Sequence, residues 1–175
     1  WSLTTTLNNS GLDKETAAVK SAALRPFWEQ HFFSPEAVLW DDALPGAADW
    51  VHQVYDTGAK IVYLTGRTEN IRSHTEAALR NHGFPFDGCT LVMKPSSDVV
   101  DHVFKEGALE KISQLGQVHL GIDNEPIQIN YLARRFPDAL AIWMDTDHSP
   151  RPVKAHASLP KIDGFLYTKK APSKG

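Results

Sequence analysis

The run Ile61-Val-Tyr-Leu64, followed at once by Thr65-Gly66-Arg67, constrains this chain more than any other stretch. It is apolar throughout, rich in β-branched residues and lies between Gly58 and Gly66. A run that short and that apolar suits a central parallel strand buried on both faces. It breaks into a hydroxyl, a residue with no side chain and a fixed cation. Thr68 then has the chemistry of an N-cap, for a helix running to Gly83. Strand, small polar loop and helix N-terminus together form the geometry that receives an anion at the carboxyl end of a parallel sheet. Thr65 is therefore read as a phosphate-contacting hydroxyl, although Thr65 and Gly66 equally suit a plain turn of the chain.

On either side of this run, helical and strand patterns alternate. Asp13 to Gln30 has helical spacing, with Ala17, Ala18, Ala22, Phe27 and Trp28 as its apolar side and Pro26 expected to end or kink it. Ahead of it, residues 1–9 are polar and threonine-rich, without the apolar content of a core strand, and Asn8 to Gly11 reads as a turn. A second short helix is expected around Pro35, between Phe32 and Trp40. Helices are predicted over Ala47–Tyr55, Glu69–His82, Phe104–Leu115 and Pro126–Phe136, and strands over Thr90–Lys94, Val118–Ile122 and Ala139–Met144. Residues Pro95 to Asp101 read as a polar loop, and an edge strand is expected at Phe165–Tyr167. Alternation of this kind gives an α/β fold with a mainly parallel sheet and, through right-handed crossovers, helices on both faces. Active residues should gather where strands end: after Leu64, after Lys94 and after Ile122.

Three features fall at or near those ends. They are Thr65-Gly66-Arg67, Lys105 at the start of the helix before the third strand, and Asp123-Asn124-Glu125-Pro126 behind that strand. A hydroxyl and a lysine supply the donors and positive charge that a phosphate needs. A hard cation such as Mg²⁺ takes oxygen ligands, often one or two carboxylates with water and phosphate oxygens, and Asp123 sits where such a ligand would sit. Taken singly, a lysine opening a helix is usually solvated and an aspartate after a strand usually shapes a turn. Their order and placement together carry the reading.

These motifs resemble those of the haloacid dehalogenase (HAD) superfamily of phosphatases. Leu64-Thr-Gly-Arg67 resembles its second motif, whose Thr or Ser binds the phosphoryl group. Phe104-Lys-Glu-Gly-Ala-Leu-Glu-Lys-Ile112 resembles the third, which makes Lys105 the lysine that neutralises the phosphoryl intermediate. Gly121-Ile-Asp-Asn-Glu-Pro126 resembles the fourth, which makes Asp123 a Mg²⁺ ligand, with Asn124 where some relatives carry a second acid. The Pro45-Gly-Ala lead-in and the Tyr-Leu-Thr-Gly-Arg run are most similar to class B acid phosphatases and to the phosphatase domains of polynucleotide kinase-phosphatases. The resemblance covers about residues 45–145. It implies one three-layer α/β/α HAD-like domain over residues 1–175, with a mainly parallel sheet and a small helical cap-like insert over about residues 12–44. It also implies Mg²⁺ as cofactor, Thr65 and Lys105 as catalytic residues, Thr65, Gly66, Arg67 and Lys105 as substrate contacts, and Asp123 with Asn124 at the metal.

The first motif of that family, Asp-x-Asp on the central strand, is not at its expected place. Its first aspartate is the nucleophile and its second the general acid/base. Trp1-Ser-Leu-Thr resembles the residues that directly follow it, with Ser2 at the usual Thr position. The expectation is that roughly ten further residues, about one strand and a lead-in, precede Trp1. That strand would lie between those at Ile61–Leu64 and Val118–Ile122. Ile142-Trp-Met-Asp-Thr-Asp147 also ends in Asp-x-Asp and would serve only in a circular permutation. Otherwise Asp145 and Asp147 shape the turn before Pro150.

Two functions follow. One is a phosphomonoester hydrolase acting through an aspartyl-phosphate, on a phosphorylated small molecule or macromolecule reached through an open site. The other is a non-catalytic phosphate- or partner-binding module on the same scaffold. A dehalogenase or phosphonatase would need a larger cap. A net charge of −3 gives no footprint for a membrane and does not favour nucleic acid. The single cysteine, Cys89, excludes an intrachain disulfide and a thiolate metal cluster and suits a cytoplasmic setting. It has no evident activating partner, so it is expected to be inert. The eight histidines lack zinc-ligand spacing. Trp28, Phe32, Phe33 and Trp40 are expected in core or cap packing rather than at a substrate entrance.

Overall fold

The computed structural model describes residues 3–32, 34–146, 148 and 152–166. The amino-terminal third is helical: α1 (Leu3–Asn9), α2 (Lys14–Phe32), α3 (Pro35–Val38) and α4 (Ala47–Asp56). Beyond it come β1 (Val62–Thr68), α5 (Arg72–Asn81), β2 (Thr90–Lys94), α6 (Asp101–Ile112), β3 (Leu120–Asp123), α7 (Pro126–Arg135), β4 (Leu140–Met144) and β5 (Lys161–Ile162). Every strand pairing is parallel, as the alternating pattern predicts.

Residues 3–9 form a helix, because the threonine-rich stretch packs on α2, where the Thr4 hydroxyl donates to Ser21 Oγ at 2.9 Å. α2 opens on Asp13, whose carboxylate accepts from the Thr16 N–H at 2.9 Å. It continues past Pro26, which does not end it. Its inward side is Ala17 and Ser21, whereas Ala18, Ala22 and Phe27 are exposed. The tail strand forms at Lys161–Ile162 rather than at Phe165. Phe165 instead packs its ring on Trp50, while Tyr167 lies outside the described residues, as do Trp1, Ser2, Phe33, Asp147 and Pro150.

Two apolar clusters define the layers. Val38, Ile71, Ala78, Leu91 and Met93 pack α3 and α5 on one face of β1–β2, with Tyr63 against them. Leu109, Ile129, Leu132 and Ala141 pack α6 and α7 with β4, and Leu64 of β1 and Trp143 lie against them. Tyr63 and Leu64 thus face opposite layers, as successive strand residues must. Ala108 and Leu109 of α6 are buried as expected, but Leu115, in a short turn behind the helix, is half-exposed.

Among the described residues the sheet is in two parts, β1–β2 and β3–β4–β5. The expectation that the Ile61–Leu64 strand is buried on both faces is not met. Only Thr68 of β1 is buried, and all four residues of β3 are half-buried. The reason is that each strand has a neighbour along one edge only, so its flank stays open. α6 spans the two parts. It packs on β1 and β2, joins the cluster that holds Leu64 and Ile129, and contacts α7.

Candidate functional site

The loop read as anion-receiving is built differently from the sequence expectation. β1 does not stop at Leu64 but continues to Thr68. Thr65 pairs with Met93 and Thr68 with Lys94, so Gly66 and Arg67 bulge out of the ladder with no partner opposite them. The Arg67 N–H donates to Thr65 Oγ1 at 3.2 Å. That bond uses a lone pair and leaves the Thr65 hydroxyl proton free to donate elsewhere. Thr68 precedes the helical turn Glu69–Ile71 without capping it; its hydroxyl donates to Asn70 Oδ1. Arg67 reaches across to Asp41, between α3 and α4, and His82 Nε2 holds the Asp41 carbonyl at 2.8 Å.

Lys105 and Asp123 meet. Lys105 Nζ donates to Asp123 Oδ2 at 2.7 Å, and the two side chains are mostly buried. The other carboxylate oxygen accepts from the Glu125 N–H at 2.8 Å. The Asn124 carbonyl accepts from Trp143 Nε1 at 3.1 Å, which fixes the backbone behind Asp123. α6 begins at Asp101, one turn earlier than expected, so Lys105 lies in its second turn rather than at its start. Asp101, read as the end of a polar loop, therefore opens the helix.

Two residues that sequence reasoning passed over belong to the same place. Lys94 ends β2, and its buried ammonium donates to Asp101 Oδ1 at 2.6 Å. Met93 faces the α5 layer, so Lys94 must face α6. The signal was available in part, because the carboxyl end of β2 is one of the three strand ends where chemistry was expected.

A hard cation would find one carboxylate here, Asp123, with Asn124 next to it. No group of three or more His, Cys, Asp or Glu is arranged around a metal position among the described residues. That donor set fits Mg²⁺, which keeps several waters and commonly takes one or two protein carboxylates with phosphate oxygens. A surface hollow lined by Tyr55, Lys60, Ile61 and Asp87 lies at the amino end of β1, away from these groups. Burial, and then the charge of Asp87, pushes the Cys89 thiol up, away from a reactive thiolate. No helix among the described residues is long and apolar enough to cross a membrane.

Residues 4–119 match the family described as HAD superfamily, subfamily IIIB (acid phosphatase). The chain belongs to that family. The matched stretch is more than half of the chain and contains Thr65, Gly66, Arg67 and Lys105, while Asp123 lies just behind it. No curated protein and no solved structure matches the chain. Membership of the acid-phosphatase subfamily supports a phosphatase-type hydrolase acting on a phosphorylated substrate, on an α/β fold with parallel strands.

Proposed function

We propose that this acid-phosphatase family member is a Mg²⁺-dependent phosphomonoester hydrolase that works through an aspartyl-phosphate. The observation that carries the proposal is the Lys105–Asp123 pair, 2.7 Å apart. It joins residues from a helix and a strand end that the motif resemblance assigned independently to phosphoryl and metal binding.

The Thr65 hydroxyl donates to a phosphoryl oxygen. Lys105 turns its ammonium to the same group and holds the charge that builds up during transfer. Asp123, with Asn124 beside it, would hold Mg²⁺, which would supply further charge neutralisation for the transfer. The nucleophile of such a reaction is the first aspartate of an Asp-x-Asp motif, and the open edges of β1 and β3 are where the strand carrying it would seat. The carboxylate oxygen of that first aspartate attacks phosphorus, and the ester P–O bond breaks as the motif's second aspartate, the general acid/base, gives its proton to the leaving alcohol; the second aspartate regains a proton from the attacking water in the next step. Water then attacks the phosphorus, the acyl-phosphate P–O bond breaks, and orthophosphate departs with the carboxylate restored. Helices α2 and α3 form the small cap, and such a cap leaves the site open to small or macromolecular phosphomonoesters.

The test is hydrolysis of p-nitrophenyl phosphate by the full-length protein, with and without Mg²⁺. Turnover should require the metal. Lys105→Ala should lower kcat by about 10²–10³-fold, the scale of losing one preorganised charge in a transition state. Asp123→Asn should raise the Mg²⁺ concentration needed. Wild-type kinetics in both variants would overturn the site assignment. Phosphate binding without any turnover would favour a binding module instead.

A further inference from the structure

Gly66 is not among the glycines with positive φ, so its backbone does not demand glycine for conformational reasons. Space demands it. A Cβ on Gly66 would lie 2.9 Å from Asp101 Oδ2 and 3.2 Å from Asp101 Cγ. The carboxylate of Asp101 therefore rests against the bare Cα of the bulged loop, while its other oxygen accepts from buried Lys94. Asp101 and Lys105 are four residues apart on α6 and so stand on one face, a turn from each other. The loop itself has left the β1–β2 ladder and lacks the backbone pairing that would otherwise fix its height.

We propose that Asp101 is a positioning residue for phosphate: with Lys94 it clamps the Thr65-Gly66-Arg67 loop against the first turn of α6, so that Thr65 and Lys105 converge on one anion. Lys94 anchors the clamp to β2, and Gly66 admits it. Asp101 does not touch the phosphate, which its own charge would repel. It acts through the loop on one side and through the helix carrying Lys105 on the other. This inference rests on the phosphate-binding reading of Thr65 and Lys105 given above.

The experiment is a double-mutant cycle read by orthophosphate binding and, separately, by melting temperature, on the full-length protein without turnover. Gly66→Ala drives the Asp101 carboxylate away, and Asp101→Ala removes it. Each should weaken orthophosphate binding about tenfold, the effect of one misplaced charge-assisted hydrogen bond. The double variant should bind like Asp101→Ala alone, because the atoms closest to the added methyl are then gone. Asp101→Asn keeps an acceptor for Lys94 and the same bulk beside Gly66, so it should stay within about threefold of wild type. It also carries the test, against Gly66→Ala, should Asp101→Ala not fold. Lower melting temperatures with unchanged phosphate affinity would reduce Asp101 to a structural role and overturn the proposal, as would effects that simply add. If wild-type protein binds no orthophosphate, or binds it undiminished after Lys105→Ala, the phosphatase reading falls and the clamp with it.

Discussion

Replacing Lys105 by methionine probes the centre of the site without asking for turnover. Methionine keeps an aliphatic stem of similar length and removes only the charge. Lys105 Nζ and Asp123 Oδ2 are 2.7 Å apart, with 15% and 17% of the side-chain surfaces exposed. After the change, Asp123 retains the Glu125 N–H and loses its cation. Breaking a buried pair by removing one partner costs on the order of 3–5 kcal/mol. The remaining exposure lets water re-solvate the carboxylate and brings the expected loss to about 2–3 kcal/mol. For a chain of this size that is a fall of about 4–12 °C in melting temperature. The second half of the prediction concerns the metal. In the wild type a cation must displace the ammonium from Asp123, whereas in Lys105→Met the carboxylate is open. Millimolar Mg²⁺ should therefore raise the melting temperature of the variant more than that of the wild type. Scanning calorimetry at neutral pH with and without the ion decides it. A fall below about 1 °C would show that the pair adds nothing to stability in solution, against the magnitude argued here. A normal fall that Mg²⁺ does not reverse would refute Asp123 as a metal ligand.

Two further outcomes follow from the packing around the site. A Cβ on Gly121 would lie 2.2 Å from Leu132 Cδ1, inside a cluster with Ile129 and Ala141, so Gly121→Ala should cost about 1–3 kcal/mol by overpacking. Thermal melting checks it, and adding Leu132→Val should return part of the loss; a double variant that melts at the sum of both losses would contradict the contact. Between α6 and α7, Arg135 donates to Glu110 at 2.7 and 2.8 Å and holds its carboxyl below the usual range. The folded value is depressed, so this contribution is complete above the ordinary carboxylate range and fades as pH falls through the lower folded value. The difference in melting temperature between wild type and Glu110→Gln should accordingly be present at neutral pH and vanish in acid.

Much of the element order was legible because it rests on local chemistry. β2 occupies Thr90–Lys94 as read, an apolar run bounded by Gly88 and Pro95. α7 starts on Pro126, whose fixed φ and missing N–H suit a first helical position. Burial was harder. Phe27 and Leu115 have the right residue type for a core and lie exposed, because which side of a helix is covered depends on what arrives against it. The start of α6 was missed for a related reason. Residues 95–101 read as a loop, and the first turn is held by a tertiary partner, with Lys94 from β2 against Asp101.

By itself the sequence determined the order of strands and helices from α4 to β4, and the hydroxyl, lysine and aspartate at three strand-related positions. These follow from periodicity and side-chain chemistry. The tertiary structure alone decided that Lys105 closes on Asp123, that Arg67 turns to Asp41, and that Asp101 lies against Gly66. It also decided that β1 and β3 each keep an open edge. Pairings of this kind join residues 18 to 35 positions apart, and their geometry depends on pleat direction, helix phase and the relative height of neighbouring elements. None of those quantities is a property of a local stretch of chain.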